Sequence, residues 1–67
     1  MEQSTPRLRL IREARGLSQR ELARRMGIDH SLVSRAERGL IATWPAFRKR
    51  AAAELAVDES LLFGAAA

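Results

Sequence analysis

The stretch "ELARRMGIDHSLVSR", residues 21 to 35, carries two helical patterns divided by one glycine, and it limits the fold more than any other segment. Before the break, Leu22, Ala23 and Met26 recur at helical spacing; after it, Val33, Ala36 and Glu37 do the same. Gly27 tolerates the left-handed backbone that stops a helix, and Asp29 is a good N-cap for the next one. The sequence therefore predicts two short helices set at an angle by a turn made of Gly27 and its neighbours.

The same punctuation recurs along the chain. Thr5 is placed to cap a first helix with Pro6 at its first position, where the missing N–H is no loss. Leu8, Ile11, Arg12 and Arg15 form one face of that helix, and Gly16 ends it. Ser18 followed by Glu21 three residues on is a capping box for the second helix. Asp29 caps the third, which runs to about Arg38 before Gly39. Thr43 is placed to cap a fourth holding Phe47, Ala51 and Leu55, and Asp58 a short fifth with Leu61, Leu62 and Phe63. The terminal "GAAA", residues 64–67, should fray. With no repeats, low-complexity linker or strand alternation, the expectation is one all-α domain over residues 1–67, of five short helices, ordered from about 5 to 63.

A 67-residue domain buries only about 60% of its unfolded surface, so its core is small. Of 31 apolar residues twelve are Ala, leaving nineteen larger side chains to hold the fold. The chain has no cysteine for a disulfide, and its lone histidine cannot complete a zinc site, so neither metal nor cofactor is expected. No apolar run approaches the ~20 residues of a membrane span, and "MEQSTPR" lacks the apolar region of a signal peptide. The expectation is a soluble cytoplasmic protein.

The formal charge of +4 hides an uneven layout. From Arg7 to Arg50 there are twelve Arg or Lys against Glu13, Glu21, Asp29 and Glu37, a balance of +8, while the ends are acidic. Eleven of the twelve basic residues are Arg, whose planar fork suits phosphates and guanine edges better than an ammonium does. A basic middle of this kind fits a nucleic-acid partner; a solvated, Arg-rich surface from biased codon usage is the competing explanation.

Two helices joined by a glycine turn of this length make a helix-turn-helix, whose second helix enters the major groove of DNA. The motifs "GLSQ", "ELA", "MG" and "SRAERG" stand in an order and spacing that resemble the phage-repressor and Cro-like family of small bacterial regulators, also called the xenobiotic response element family. The resemblance covers Leu8 to Phe63. It implies a compact five-helix, lambda-repressor-like domain that binds operator DNA without cofactor or metal, at the nucleoid.

At about 100° per residue the third helix turns Val33, Ala36 and Glu37 inward and groups Ser31, Ser34, Arg35 and Arg38 opposite them, with His30 in the first turn. The resemblance places His30, Ser31, Ser34 and Arg35 at base-reading positions. Arg35 has the fork to bind guanine O6 and N7, and the Leu32 flank is suited to a thymine methyl. Phosphate contacts are expected where the second helix begins, at Ser18 and Gln19, the latter matching a family phosphate-binding position, and then at Arg20, Arg24 and Arg38. The loop "GLIATWP" departs from the family, which commonly has basic or polar residues where Leu40 and Ile41 stand.

Arg12 and Glu37 fall at inward positions one turn from Leu8 and Val33 respectively, and buried charges need partners. They are expected to pair, as the matching family positions do. A single recognition helix offers too few base contacts to find one operator among roughly 10⁶ competing sites, so a homodimer on a palindromic operator is expected. Leu61, Leu62 and Phe63 are the candidate dimer surface, since the family often dimerises there and an all-apolar triplet cannot bury every side chain in its own small core. Against this, at least Leu62 or Phe63 is expected to cap the monomer core. The alternative is a protein-interaction module, antitoxin-like or adaptor, that holds its partner through Leu40, Ile41 and Trp44. An enzyme is not expected: His30 has only Asp29 and Ser31 beside it in sequence, neighbours on a helix do not face each other, and no glycine loop follows a strand to cradle phosphate.

Overall fold

A computed structural model describes residues 6–64 of the chain. Five helices follow in order: α1 (Pro6–Ala14), α2 (Gln19–Met26), α3 (His30–Glu37), α4 (Pro45–Leu55) and α5 (Glu59–Phe63), with no strand among the described residues. Thr5 and residues 65–67 lie outside them, and with them the expected first cap and most of the expected frayed tail.

Local chemistry explains where the central helices begin and end. Ser18 is extended, and its hydroxyl accepts from the Glu21 N–H at 3.0 Å, which starts α2. The other half of the capping box does not close as expected: the Glu21 carboxylate lies 3.4 Å from Arg24 on the helix surface. Gly27 adopts φ 73°, and the Ile28 N–H then reaches back to the Ala23 carbonyl at 3.0 Å. This is the six-to-one bond of a Schellman stop, and Ile28 packs against the core as that motif requires. Asp29 restarts the chain at once, its Oδ1 accepting from the Ser31 N–H at 2.9 Å. Only Gly27, Ile28 and Asp29 therefore separate two eight-residue helices. Helices so short are marginal alone and depend on the faces they bury.

The fourth helix starts one residue later than expected. Trp44, not Thr43, is the N-cap, and it makes no side-chain capping bond. Pro45 sets this start, because it has no N–H to lose at the first helical position. The Thr43 carbonyl instead accepts from Arg48 Nη1 at 2.7 Å, with its hydroxyl 3.4 Å from the same nitrogen. Asp58 does occupy the N-cap of α5, but its carboxylate makes no capping bond either.

Leu8, Leu22, Val33, Phe47, Leu55 and Leu62, at least one from each helix, are almost wholly buried. Each such side chain contributes on the order of 1.5–3 kcal/mol. Phe47 sits between Trp44 and Phe63, with ring centroids at 5.0 and 6.2 Å. Helix α2 packs on α3 and α4, α4 on α5, and α1 on α5 and α3. Leu62 thus belongs to the core, 2% exposed, which corrects its expected place on a dimer surface; Phe63 is partly buried beside it and Leu61 is exposed. The short helix α5 must close the core, so the middle of three consecutive apolar residues turns inward.

Arginine has a structural use that composition did not separate from the basic surface. Arg15 Nε donates to the Leu55 carbonyl at 2.9 Å, Arg50 Nη2 to the Arg25 carbonyl at 2.8 Å, and Arg12 Nη1 to the Leu17 carbonyl at 2.8 Å. The first two satisfy carbonyls at the ends of α4 and α2, where the backbone has no intrahelical donor. No helix among the described residues is long and apolar enough to cross a membrane.

Candidate functional site

Helix α3 presents two contrasting faces. Val33, Ala36 and Glu37 are buried, while His30 and Arg35 are exposed and Ser31 and Ser34 half-buried. The inner face is held by α2, which packs closely against α3. The outer face is therefore fixed in direction by the core rather than by contacts of its own.

Two depressions lie at the two ends of α3. One is lined by Arg20, Ala23, Arg24, Ile28, Asp29 and His30, so the second-helix arginines and the first residue of α3 share a groove. The other is lined by Arg9, Arg12, Glu13, Gln19, Glu37 and Arg38. Gln19 and Arg38, distant in sequence, thus meet beside the buried ion pair. Arg9 joins them there. Sequence reasoning passed over Arg9, although it precedes Arg12 by three residues and so lies near it on α1.

Beneath the second depression, Arg12 Nε donates to Glu37 Oε2 at 2.6 Å and Nη2 to Oε1 at 3.1 Å, a two-pronged bond with both side chains almost wholly buried. The bond to Glu37 raises the Arg12 pKa above its already high ordinary value, outweighing burial, which acts the other way. Gln19 Nε2 also donates to Glu37 Oε1, at 2.9 Å.

The N-terminus of α3 is set by Asp29. The backbone N–H of Ser31, then its hydroxyl, hydrogen-bonds the Asp29 carboxylate and holds its pKa below the ordinary 3.8; His30 and Arg35 add a smaller electrostatic pull. His30 Nδ1 lies 3.5 Å from Asp29 Oδ1, against the expectation that these neighbours do not face each other. That expectation assumed a helical backbone at both residues, and Asp29 is an extended cap.

The remaining candidates divide as follows. The Ser18 hydroxyl is occupied as an acceptor at the α2 cap. Arg24 makes one exposed contact to Glu21, of the kind worth little in water. In the loop, Leu40 is 62% exposed, Trp44 is partly exposed against Phe47, and Ile41 packs on the core. The three do not form one continuous exposed apolar surface, since Ile41 is turned inward. No group of three or more His, Asp or Glu among the described residues is placed to hold a metal ion.

Compared with known proteins, residues 6–62 match the model of a family described as a helix-turn-helix domain. No curated protein and no solved structure matches the chain.

Proposed function

Because the chain belongs to the helix-turn-helix domain family, we propose that it is a sequence-specific regulator of transcription that places α3 in the major groove of double-stranded DNA. The observation that carries this reading is the outer face of α3, where Arg35 is exposed, with an arginine-lined depression at His30 where the helix begins and another at Glu37 where it ends. Arg35 is assigned to a guanine edge, and His30, Ser31 and Ser34 to neighbouring bases. Gln19, Arg20, Arg24 and Arg38 are assigned to phosphates, which position the protein without reading sequence. Ser18 serves by presenting the start of α2, its hydroxyl being taken by the cap. The protein has no assigned reaction: it acts by occupying DNA, in the cytoplasm at the nucleoid.

The functional unit is proposed to be a homodimer on a palindromic operator, its two recognition helices about 34 Å apart. Leu61, exposed on α5, is the anchor of that surface, with Phe63 at its edge.

A second reading has one observation in its favour. Leu40 is largely exposed beside a partly exposed Trp44, where a basic loop would serve DNA better. These two residues would anchor a protein partner.

Selection of bound duplexes from a random DNA pool, followed by titration at several salt concentrations, tests the main reading. A recovered consensus and an affinity that falls steeply with salt, by a slope of about −0.9 per phosphate neutralised, are expected. Absence of any duplex binding at low salt overturns it.

A further inference from the structure

Glu37 has a bond that neither the fold nor base reading requires. Its Oε1 accepts from Arg12 Nη2 at 3.1 Å and also from Gln19 Nε2 at 2.9 Å. Arg12 alone would neutralise the carboxylate. Gln19 is the first residue of α2, only half-buried, and its long side chain would otherwise sample several rotamers.

We infer that Glu37 is a positioning residue for DNA binding: it holds the Gln19 amide in one orientation, so that the second Nε2 hydrogen and the backbone N–H groups of the α2 N-terminus present one preformed donor set to a phosphate. The inference rests on the DNA-binding reading above and adds a residue to it that touches no DNA.

The chemistry dictates the orientation. A carboxylate accepts and does not donate, so the amide must turn its nitrogen, not its oxygen, toward Glu37. One of the two Nε2 hydrogens is used there; the other remains for a second acceptor. The Glu21 N–H is taken by the Ser18 hydroxyl, which leaves the first N–H groups of α2, at Gln19 and Arg20, with no intrahelical partner beside this amide. Glu37 would repel an approaching phosphate were it not paired, and Arg12 removes that charge by its two-pronged bond. Arg9, Glu13 and Arg38 rim the same depression; Arg9 pairs with Glu13 at 3.3 Å, so the excess positive charge at its opening is that of Arg38. Glu37 thereby joins three elements, accepting two hydrogen bonds from Arg12 on α1 and one from Gln19 on α2 while standing on α3. The base-reading helix and the phosphate-binding residue are held in one register by a single carboxylate.

Freezing the amide beforehand removes an ordering cost that binding would otherwise meet. One immobilised side chain of this kind corresponds to about two- to tenfold in affinity.

The test separates the acceptor from the ion pair. Arg12→Met/Glu37→Gln keeps a neutral carbonyl acceptor opposite Gln19, whereas Arg12→Met/Glu37→Met removes it; neither leaves an unpaired buried charge. Both are titrated with a scrambled 20-base-pair duplex at low salt, with urea midpoints recorded to establish that both are folded. The Gln variant is expected to bind about two- to tenfold more tightly than the Met variant, with the same salt slope, because no charge at the interface differs. Adding Gln19→Ala should weaken the Gln variant by about two- to tenfold more than it weakens the Met variant, in which Gln19 still reaches the phosphate but must be ordered on binding. Equal affinities for the two backgrounds, or an equal effect of Gln19→Ala in both, overturn the positioning role while leaving DNA binding intact. Failure of the wild-type chain to bind the duplex overturns the DNA-binding reading itself, and this inference with it.

Discussion

Arg12 and Glu37, 25 residues apart, meet through two hydrogen bonds of 2.6 and 3.1 Å inside the core, and so tie α1 to the last turn of α3. Desolvating two charges is costly, and their mutual attraction offsets that cost only while both are present. Arg12→Met is therefore expected to destabilise the domain by about 3–5 kcal/mol in urea unfolding. Arg12→Met/Glu37→Met should recover most of that loss, since an apolar pair of similar volume is often neutral. A single mutant as stable as wild type contradicts the account of the pair.

Backbone conformation gives a second prediction, with opposite signs at two helix ends. Ala56 closes α4 at φ 57°, a left-handed position that penalises a Cβ, while Gly27 closes α2 at φ 73° without that penalty. An added Cβ on Gly27 would meet nothing within 4 Å, so its cost is conformational alone. Ala56→Gly should stabilise by about 0.5–1 kcal/mol, and Gly27→Ala destabilise by about 1–2 kcal/mol. Urea midpoints check both; destabilisation by Ala56→Gly contradicts the argument.

What the sequence disclosed follows from how local each signal is. Gly27, Ser18 and Asp29 were legible because a helix stop and an N-cap are decided within two or three residues of backbone. The inward faces of α2 and α3 were legible from their period. Thr43 misled because a capping hydroxyl and a proline competed for the same helix start two residues apart, and Pro45 prevailed. Leu61, Leu62 and Phe63 carry no period, so only packing against the other helices decides that Leu62 turns inward. The bonds of Arg15 to Leu55 and Arg50 to Arg25 span 40 and 25 residues, and a backbone carbonyl leaves no mark in sequence. For the candidate site, the face of α3 was legible and the junction of Gln19 with Glu37 was not.

Acid should act on the start of α3. The Asp29 pKa is depressed in the folded chain, chiefly by the Ser31 N–H, so the unfolded chain binds more protons in that range and stability rises with pH there. The contribution is fully present above the ordinary carboxylate value and is lost as pH falls through the depressed one. Asp29→Asn keeps an acceptor but does not titrate. The stability difference between wild type and Asp29→Asn, from urea midpoints at a series of pH values, should hold steady at neutral pH and shift against wild type in acid; a shift in the opposite direction contradicts the assignment.

The dimer proposal now rests on Leu61, because Leu62 is inside the monomer. Sedimentation at saturation should find two chains per selected duplex. Leu61→Asp should abolish the pairing while moving monomer stability by no more than about 0.5 kcal/mol, as for other exposed positions. One wild-type chain per duplex, with no symmetry in the selected sites, rules the dimer out.

The central claim is that α3 reads bases and that Arg35 is its principal reader. The most direct measurement is the ratio of affinities for a selected duplex and a scrambled one, taken for wild type and for Arg35→Ala at one salt concentration. Loss of a bidentate contact to guanine removes about 1–3 kcal/mol of discrimination, so the ratio should fall by about 5- to 150-fold. Binding to the scrambled duplex should change little by comparison. A ratio that Arg35→Ala leaves at the wild-type value contradicts the claim.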